Sequence, residues 1–207
     1  MKNYDYSPSK FKACSYSERL LDKIVLLNQN TKDKVDISEV KKAVYYARKY
    51  HGNQMRESGE PYYSHPIEVA YIISDCLFRT DIIVTSILHD TVEDTELTFN
   101  IIEKVFGPIV SSQVEDLTRI KRDRKITSAE MTESLWFQKK YDVLLIKQCD
   151  RLHNMRTLGA KSPEKAMKIV QETIKWFLPL SAFFEIPNVE EELYQLCLKQ
   201  YSSVNAN

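Results

Sequence analysis

Glycine is scarce in this chain, four residues in 207, and no stretch alternates apolar and polar side chains with the period of a strand. Both absences weigh against a β-rich architecture and favour helices. No C-x-x-C pair occurs. Cys14, Cys76, Cys149 and Cys197 lie far apart, which fits free thiols in a reducing cytosol rather than a disulfide framework. Neither charge is in excess: Lys+Arg and Asp+Glu stand at 29 each, so no global field recruits nucleic acid or an anionic membrane. The N-terminus lacks the apolar core of a signal peptide, and even "WFLPLSAFF" is too short to span a bilayer and carries Pro179. The expectation is a soluble cytoplasmic protein with no nucleic-acid and no membrane partner; oligomeric state is left open. What is present, 43% hydrophobic and 28% charged residues, suffices for a real core in one domain, or one domain with an appendage.

Helical periodicity organises that core. Residues 1–35 read as an N-terminal extension, polar and loose to residue 16. An amphipathic helix follows, with Leu20, Leu21, Ile24 and Leu27 on one face. The main domain is expected over 36–200, opened by Asp36 and Glu39 at capping-box spacing, with a short tail at 201–207. Gly59, Pro61 and Pro66 mark a loop. Helices are predicted from Pro66 to Leu77 and from Thr80 to about His89. Another starts at Thr98 and stops at Gly107-Pro108, and helix resumes over 108–118. "TRIKRDRKITSAE" reads as a charged connector, and "YDVLLIKQCDRLHNMRTL" as a buried helix with its polar residues toward the C-terminal half. Ser162-Pro163 opens a helix to about Trp176, and "NVEEELYQLCLKQY" closes the chain as an amphipathic helix.

Against this pattern, "SILHDTVEDTE" (residues 86–96) loads an apolar stretch with charge, and Asp150 interrupts a second one. Buried charge is costly unless paired or metal-bound. His65, His89, Asp90 and Asp150 make a set of two imidazoles and two carboxylates that accepts a divalent cation and leaves positions open for water and substrate. Singly, each is more often a hydrogen-bonded core or surface group, and an isolated HD dipeptide says little. The remaining histidines, His51 and His153, also lie in or beside these segments. Glu93 follows His89 by four residues and Asp94 follows Asp90 by four, so on a continuous helix both acids project beside the ligand pair. A carboxylate there can orient a metal-bound water or take its proton. Asp150, Asn154 and Thr157 share one helical face, although local backbone bonding is the plainer reading of the last two.

"HGNQMRESGEPYYSHPIEVA", "ILHDTVEDT", "FGPIVSSQVEDLTRI", "IKQCDRLHNMRTL" and "ETIKWFLPLS" occur in that order, over roughly residues 38–196. Together they resemble the hydrolase domain of RelA/SpoT-type proteins, HD-superfamily phosphohydrolases that degrade the alarmones ppGpp and pppGpp. The resemblance implies an all-α fold with one metal between helices, manganese in the family, held by His65, His89, Asp90 and Asp150. It implies that Glu93 and Asp94 activate the attacking water, that the metal polarises the 3′-diphosphate, and that GDP or GTP and pyrophosphate are released. Arg56 and Ser58 match the loop that holds the guanine. Asn154 and Thr157 match positions near the sugar and phosphates, and Phe177 stands where a nucleotide-contacting tyrosine is frequent.

The sequence departs from the family at Glu57, where a basic or small residue is usual, at Asn53 in place of a common glycine, at Phe177, which lacks a hydroxyl, and at Cys149 in place of alanine. "SAEMTESLWFQKK" matches poorly. The basic run Lys121, Arg122, Arg124, Lys125 is read as a solvated loop in preference to a phosphate cover. The expectation is a stand-alone alarmone hydrolase that ends starvation signalling. A phosphohydrolase of another phosphorylated nucleotide and an inactive alarmone-binding module are its rivals.

Overall fold

The computed structural model describes residues 6–121 and 124–205. The first five residues of the N-terminal extension, Arg122 of the basic run and the last two residues of the tail lie outside the described residues. The fold is all-α, as expected from the missing strand period.

Three helices form its centre. Helix α3 (Ser64–Ile73), α4 (Thr80–Leu88) and α9 (Tyr141–Arg156) are buried along most of their length; α3 and α4 are apolar nearly all round, as buried helices usually are, whereas α9 carries polar side chains in its later half. Helix α3 packs on both α4 and α9. Around them lie α1 (Ser15–Asn30), α2 (Ile37–His51), the single turn α5 (Thr91–Asp94), α6 (Phe99–Phe106) and α7 (Pro108–Leu117). Then follow α8 (Ser128–Phe137), α10 (Pro163–Glu172), α11 (Leu178–Phe183) and α12 (Pro187–Asn205).

The amphipathic N-terminal helix packs on the rest of the protein. Leu20, Leu21 and Ile24 of α1 join the one core, and Arg19–Glu68 and Lys23–Asp75 ion pairs clasp α1 to α3 and the turn after it. The segment before α1, expected to be loose, is docked from Tyr6 onward. Tyr6 lies 5.3 Å from the Tyr45 ring, and the Lys12 carbonyl accepts from Arg48. Asp36 caps α2 by accepting from the Ser38 and Glu39 amides at 2.8 and 3.3 Å. The capping box is only half made, because the Asp36 amide donates to Thr80 Oγ1 (2.9 Å) and Glu39 pairs with Lys42 (2.7 Å). That bond ties the start of α2 to the start of α4.

The charged connector is more ordered than its composition suggests. Strand β1 (Ile120–Lys121) pairs antiparallel with β2 (Arg124–Lys125). The Thr127 hydroxyl and Glu130 carboxylate then cap each other's amides to open α8, a capping box readable in "TSAE". Past α10 the chain makes one π-helical turn, Thr173–Phe177, before α11. Pro179 has no amide hydrogen for the Lys175 carbonyl, and an i→i+5 turn is a common way to absorb such a loss.

Candidate metal centre and its cleft

The ends of the central helices converge on one point. His65 stands in the first turn of α3, His89 just past the end of α4, and Asp150 in the later part of α9. Donor atoms of these three buried residues all lie within 4.8 Å of one another. Asp90 joins them from the turn after α4. His65 Nε2 is 3.1 Å from Asp150 Oδ1 and 3.6 Å from Asp90 Oδ2, and His89 Nε2 is 3.1 Å from Asp90 Oδ1 and 4.0 Å from Asp150 Oδ1. Such separations are those of neighbouring corners of a coordination shell with bonds of about 2.1 Å.

Protonation fits the same use. His89 Nδ1 lies 2.7 Å from the Ser86 carbonyl, which can only accept, so Nδ1 carries the hydrogen and Nε2 presents its lone pair. That Nε2 is buried and has no hydrogen-bond partner among the described residues. An orphaned buried acceptor is destabilising unless something electrophilic meets it, and a divalent cation does. His65 Nδ1 is 2.8 Å from His153 Nδ1. With Nδ1–H of His65 donating to His153, Nε2 of His65 is also free for a metal, the usual outer-sphere arrangement of a ligating histidine. Burial, with His65 and Arg56 adding to it, pushes the His153 imidazole down to about 3, so it stays a neutral acceptor.

Asp150 is fully engaged. Its Oδ1 accepts from Asn154 Nδ2 at 2.6 Å, and Lys147 Nζ sits 2.6 Å from Oδ2. Burial works to raise this carboxyl, but the Lys147 ammonium beside it holds it well below the usual range. Lys147 was not singled out from the sequence, although its i, i+3 spacing from Asp150 was there to read.

The helix carrying HD does not run on. Thr91 Oγ1 donates to the Leu88 carbonyl at 2.6 Å, a side-chain competition of the kind that bends helices. His89 and Asp90 therefore form a turn, and α5 adds one more. Glu93 and Asp94 both reach the cleft but face different partners. Glu93 receives the Arg119 amide and guanidinium, each at 3.1 Å, and Lys125 Nζ at 2.7 Å. Burial would raise Glu93, but the Lys125 and Arg119 bonds win and lower it. Asp94 Oδ2 instead accepts from the neutral Tyr62 hydroxyl at 2.5 Å.

A group whose folded-state pKa is depressed adds stability at pH above its unfolded value and loses it as pH falls through the folded one. Glu93→Gln is therefore expected to lower the unfolding free energy at neutral pH by about 1–3 kcal/mol, as for bonds to a charged group. The gap to wild type should close as pH falls below the ordinary carboxylate value of 4.5. Urea melts at pH 7 and pH 3.5 check this; a gap independent of pH would contradict it.

The cleft in front of this cluster has a volume of about 440 Å³, within the range of small-molecule sites. Arg56, on the loop after α2, donates to Asn154 Oδ1 at 3.1 Å and to Thr157 Oγ1 at 3.4 Å, so three of the sequence-predicted residues form one wall. Thr157 Oγ1 also reaches the His153 and Asn154 carbonyls, the local bonding considered from sequence. Ser58 lies beside Arg56 in a tight turn where Gly59 adopts φ +86°, a conformation that favours glycine. Lys147, Arg151 and Lys161 line the cleft as well.

Phe177 does not reach this cleft. It is 1% exposed, and the Arg151 guanidinium lies over its ring at 4.3 Å. Its assignment to substrate binding is corrected to the core. Phe177 is the last residue of the π-helical turn, whose extra residue rotates the positions at its end relative to a regular helix, a shift that tyrosine-for-phenylalanine matching cannot register.

Paired imidazoles and carboxylates at the junction of the central helices of a helical domain form a candidate divalent-metal site. Comparison with known proteins then identifies the chain: the HD domain family matches residues 43–183, and the chain belongs to that family. It is 40% identical over 174 residues to the GTP pyrophosphokinase rsh of Brucella abortus, an alignment covering 80% of this chain and 23% of that protein. Over 166 residues it is 36% identical to the bifunctional (p)ppGpp synthase/hydrolase SpoT of Escherichia coli, covering 77% and 24%. The chain thus spans about a quarter of these relatives. Among solved structures, a metazoan SpoT ortholog described as hydrolysing ppGpp superposes with TM-score 0.68 at 23% identity, covering 81% of this chain and 98% of its own. Among the described residues no helix is long and apolar enough to cross a membrane.

Proposed function

We propose that this site hydrolyses the 3′-diphosphate of ppGpp and pppGpp, releasing pyrophosphate and GDP or GTP, with manganese as the resident ion. The observation that carries the reading is the convergence of His65, His89, Asp90 and Asp150 in a cleft that also holds Glu93, Asp94 and several basic side chains. The relatives' activities support it. A protein of Escherichia coli O157:H7 named guanosine-3′,5′-bis(diphosphate) 3′-pyrophosphohydrolase is 36% identical over 166 residues.

A bound divalent ion supplies Lewis-acid polarisation of the phosphoryl oxygens and lowers the pKa of a bound water. Asp94, which lines the cleft with Asp90, accepts the proton of the attacking water. Glu93 holds Arg119 and Lys125 at the rim. Arg56, steadied by Asn154 and Thr157, stacks on the guanine, with Ser58 beside it. Lys147, Arg151 and Lys161 receive the phosphates through charge-assisted bonds. Glu57, where the family usually has a basic or small residue, is paired with Lys161 at 3.2 Å.

The test is pyrophosphate release from ppGpp by the purified protein with manganese, beside a chelated sample and Asp90→Ala. Release that disappears in both supports the reading. Turnover of a different nucleotide alone, or binding without turnover by metal-loaded protein, supports one of the rivals. Arg56→Ala is expected to raise KM for ppGpp about 10- to 100-fold, the value of one or two bonds to a charged group. Lys at this position should not restore it, since the planar fork is lost. An unchanged KM in steady-state assays would remove Arg56 from the base site.

A further inference from the structure

Asp94 is held from two directions. Tyr62 donates its hydroxyl to Oδ2 at 2.5 Å, and Gln54 Nε2 donates to the Asp94 backbone carbonyl at 2.9 Å. Both donors sit in the loop after α2, and both rest on one residue, His51, the last of α2. His51 Nδ1 lies 2.8 Å from Gln54 Oε1. Because the Gln54 amide nitrogen is committed to Asp94, Oε1 is the acceptor and Nδ1 carries the hydrogen. The His51 ring also stacks on Tyr62, with centroids 4.6 Å apart and planes 25° from parallel.

A four-residue helix cannot keep its own orientation in water, since a single turn does not offset the entropy of nucleation. Helix α5 therefore depends on outside contacts to aim Asp94. Burial lowers the His51 imidazole, which keeps it neutral with one Nδ1–H. Burial beside Asp90 and Asp94 raises the Tyr62 phenol, which keeps it a donor. His51 is 2% exposed, and its Nε2 is buried with no hydrogen-bond partner among the described residues. Such an atom is a net loss in stability, and a phenylalanine of similar shape would avoid it. Packing alone gives no reason for histidine here.

We propose that His51 is the positioning residue of Asp94: by bonding Gln54 and stacking on Tyr62 it sets both the carboxylate and the backbone of the proton-accepting residue. The proposal rests on the hydrolase reading above for the role of Asp94, but not for its position.

Three variants take the two arms apart. His51→Phe keeps the stack and drops the Gln54 bond, His51→Asn keeps a donor and drops the stack, and His51→Ala drops both. His51→Ala is expected to lower kcat for ppGpp about 10- to 100-fold, the effect of a misplacement on the order of 1 Å. KM and bound metal should stay within about twofold of wild type, because the side chain touches neither the Arg56 wall nor the ligand set. The other two variants should fall between, and they carry the test where the alanine variant does not fold. In a Tyr62→Phe/Gln54→Ala background, His51→Ala should add less than about a further twofold, since residues acting through a shared partner are non-additive. Losses that multiply in that background, or a kcat loss matched by metal loss, would overturn the proposal. Crystal structures of wild type and His51→Phe separate the two readings. Wild-type protein that does not turn over ppGpp removes the hydrolase assignment alone, whereas an Asp94 unmoved in the variant removes the positioning role.

Discussion

His89→Ala is expected to lose the bound ion and to lower ppGpp hydrolysis at least about 10³-fold, the equivalent of the several kcal/mol that a metal supplies to transition-state charge. Metal analysis of the purified variant and pyrophosphate release measured on the same sample check it together. This substitution is chosen because His89 Nε2 has no hydrogen-bond partner among the described residues. Its removal leaves only the Ser86 carbonyl without its donor. The fold should survive. Asp150→Ala is different: it strands Lys147, whose side chain is 13% exposed, beside an empty position. Breaking a buried pair from one side costs about 3–5 kcal/mol, so a dead Asp150 variant reports on folding as much as on metal. The orphaned imidazole also has a thermodynamic signature. At free metal one hundred times the dissociation constant, binding adds about 2.7 kcal/mol, or about 5–10 °C in Tm for a chain of this length. Chelation should remove that increment from wild type and leave His89→Ala unchanged. A variant that retains stoichiometric metal and turnover would sink the ligand set.

Asp94→Asn carries the second large effect. The substitution keeps the acceptor for Tyr62 and removes the proton-accepting charge. General-base catalysis contributes about 10²- to 10⁴-fold, and kcat should fall by that factor with metal content unchanged. Glu93→Gln is expected to behave otherwise, because the Glu93 carboxylate already binds Lys125, the Arg119 guanidinium and the Arg119 amide. A carboxylate committed to two cations is a weak base, and its loss should register first in stability. Single-turnover assays with saturating metal separate the two acids. Equal losses of kcat for both, with no stability difference, would show that the pair works as a unit instead.

Most of the helices were legible because their cues are local. Thr98 caps α6, Gly107 and Pro108 punctuate it, and Pro163 opens α10. The apolar periodicity of "SERLLDKIVLLNQ" marked Leu20, Leu21 and Ile24, which are buried. Where long-range contacts compete with local cues, reading failed. Glu39 has the spacing of a capping box but goes to Lys42, because Thr80 has taken the Asp36 amide. The paired strands Ile120–Lys121 and Arg124–Lys125 have too few residues to announce a strand period, and Lys125 is ordered by Glu93, 32 positions earlier in the chain. Phe177 was misassigned because its place depends on a π-helical turn and on Arg151 covering its ring.

By itself, the sequence determined the helical class and marked His65, His89, Asp90 and Asp150 as residues able to meet a divalent cation, because charge inside apolar helices is a property of the chain; Arg56, Asn154 and Thr157 were singled out for substrate through the family resemblance. Only the tertiary structure decided which nitrogen of His89 is free, which of two adjacent acids is saturated with cations, and that Lys147 and Tyr62 line the cleft. Proton positions and carboxylate partners depend on groups brought together from distant parts of the chain, and their spacing leaves no trace in a linear pattern.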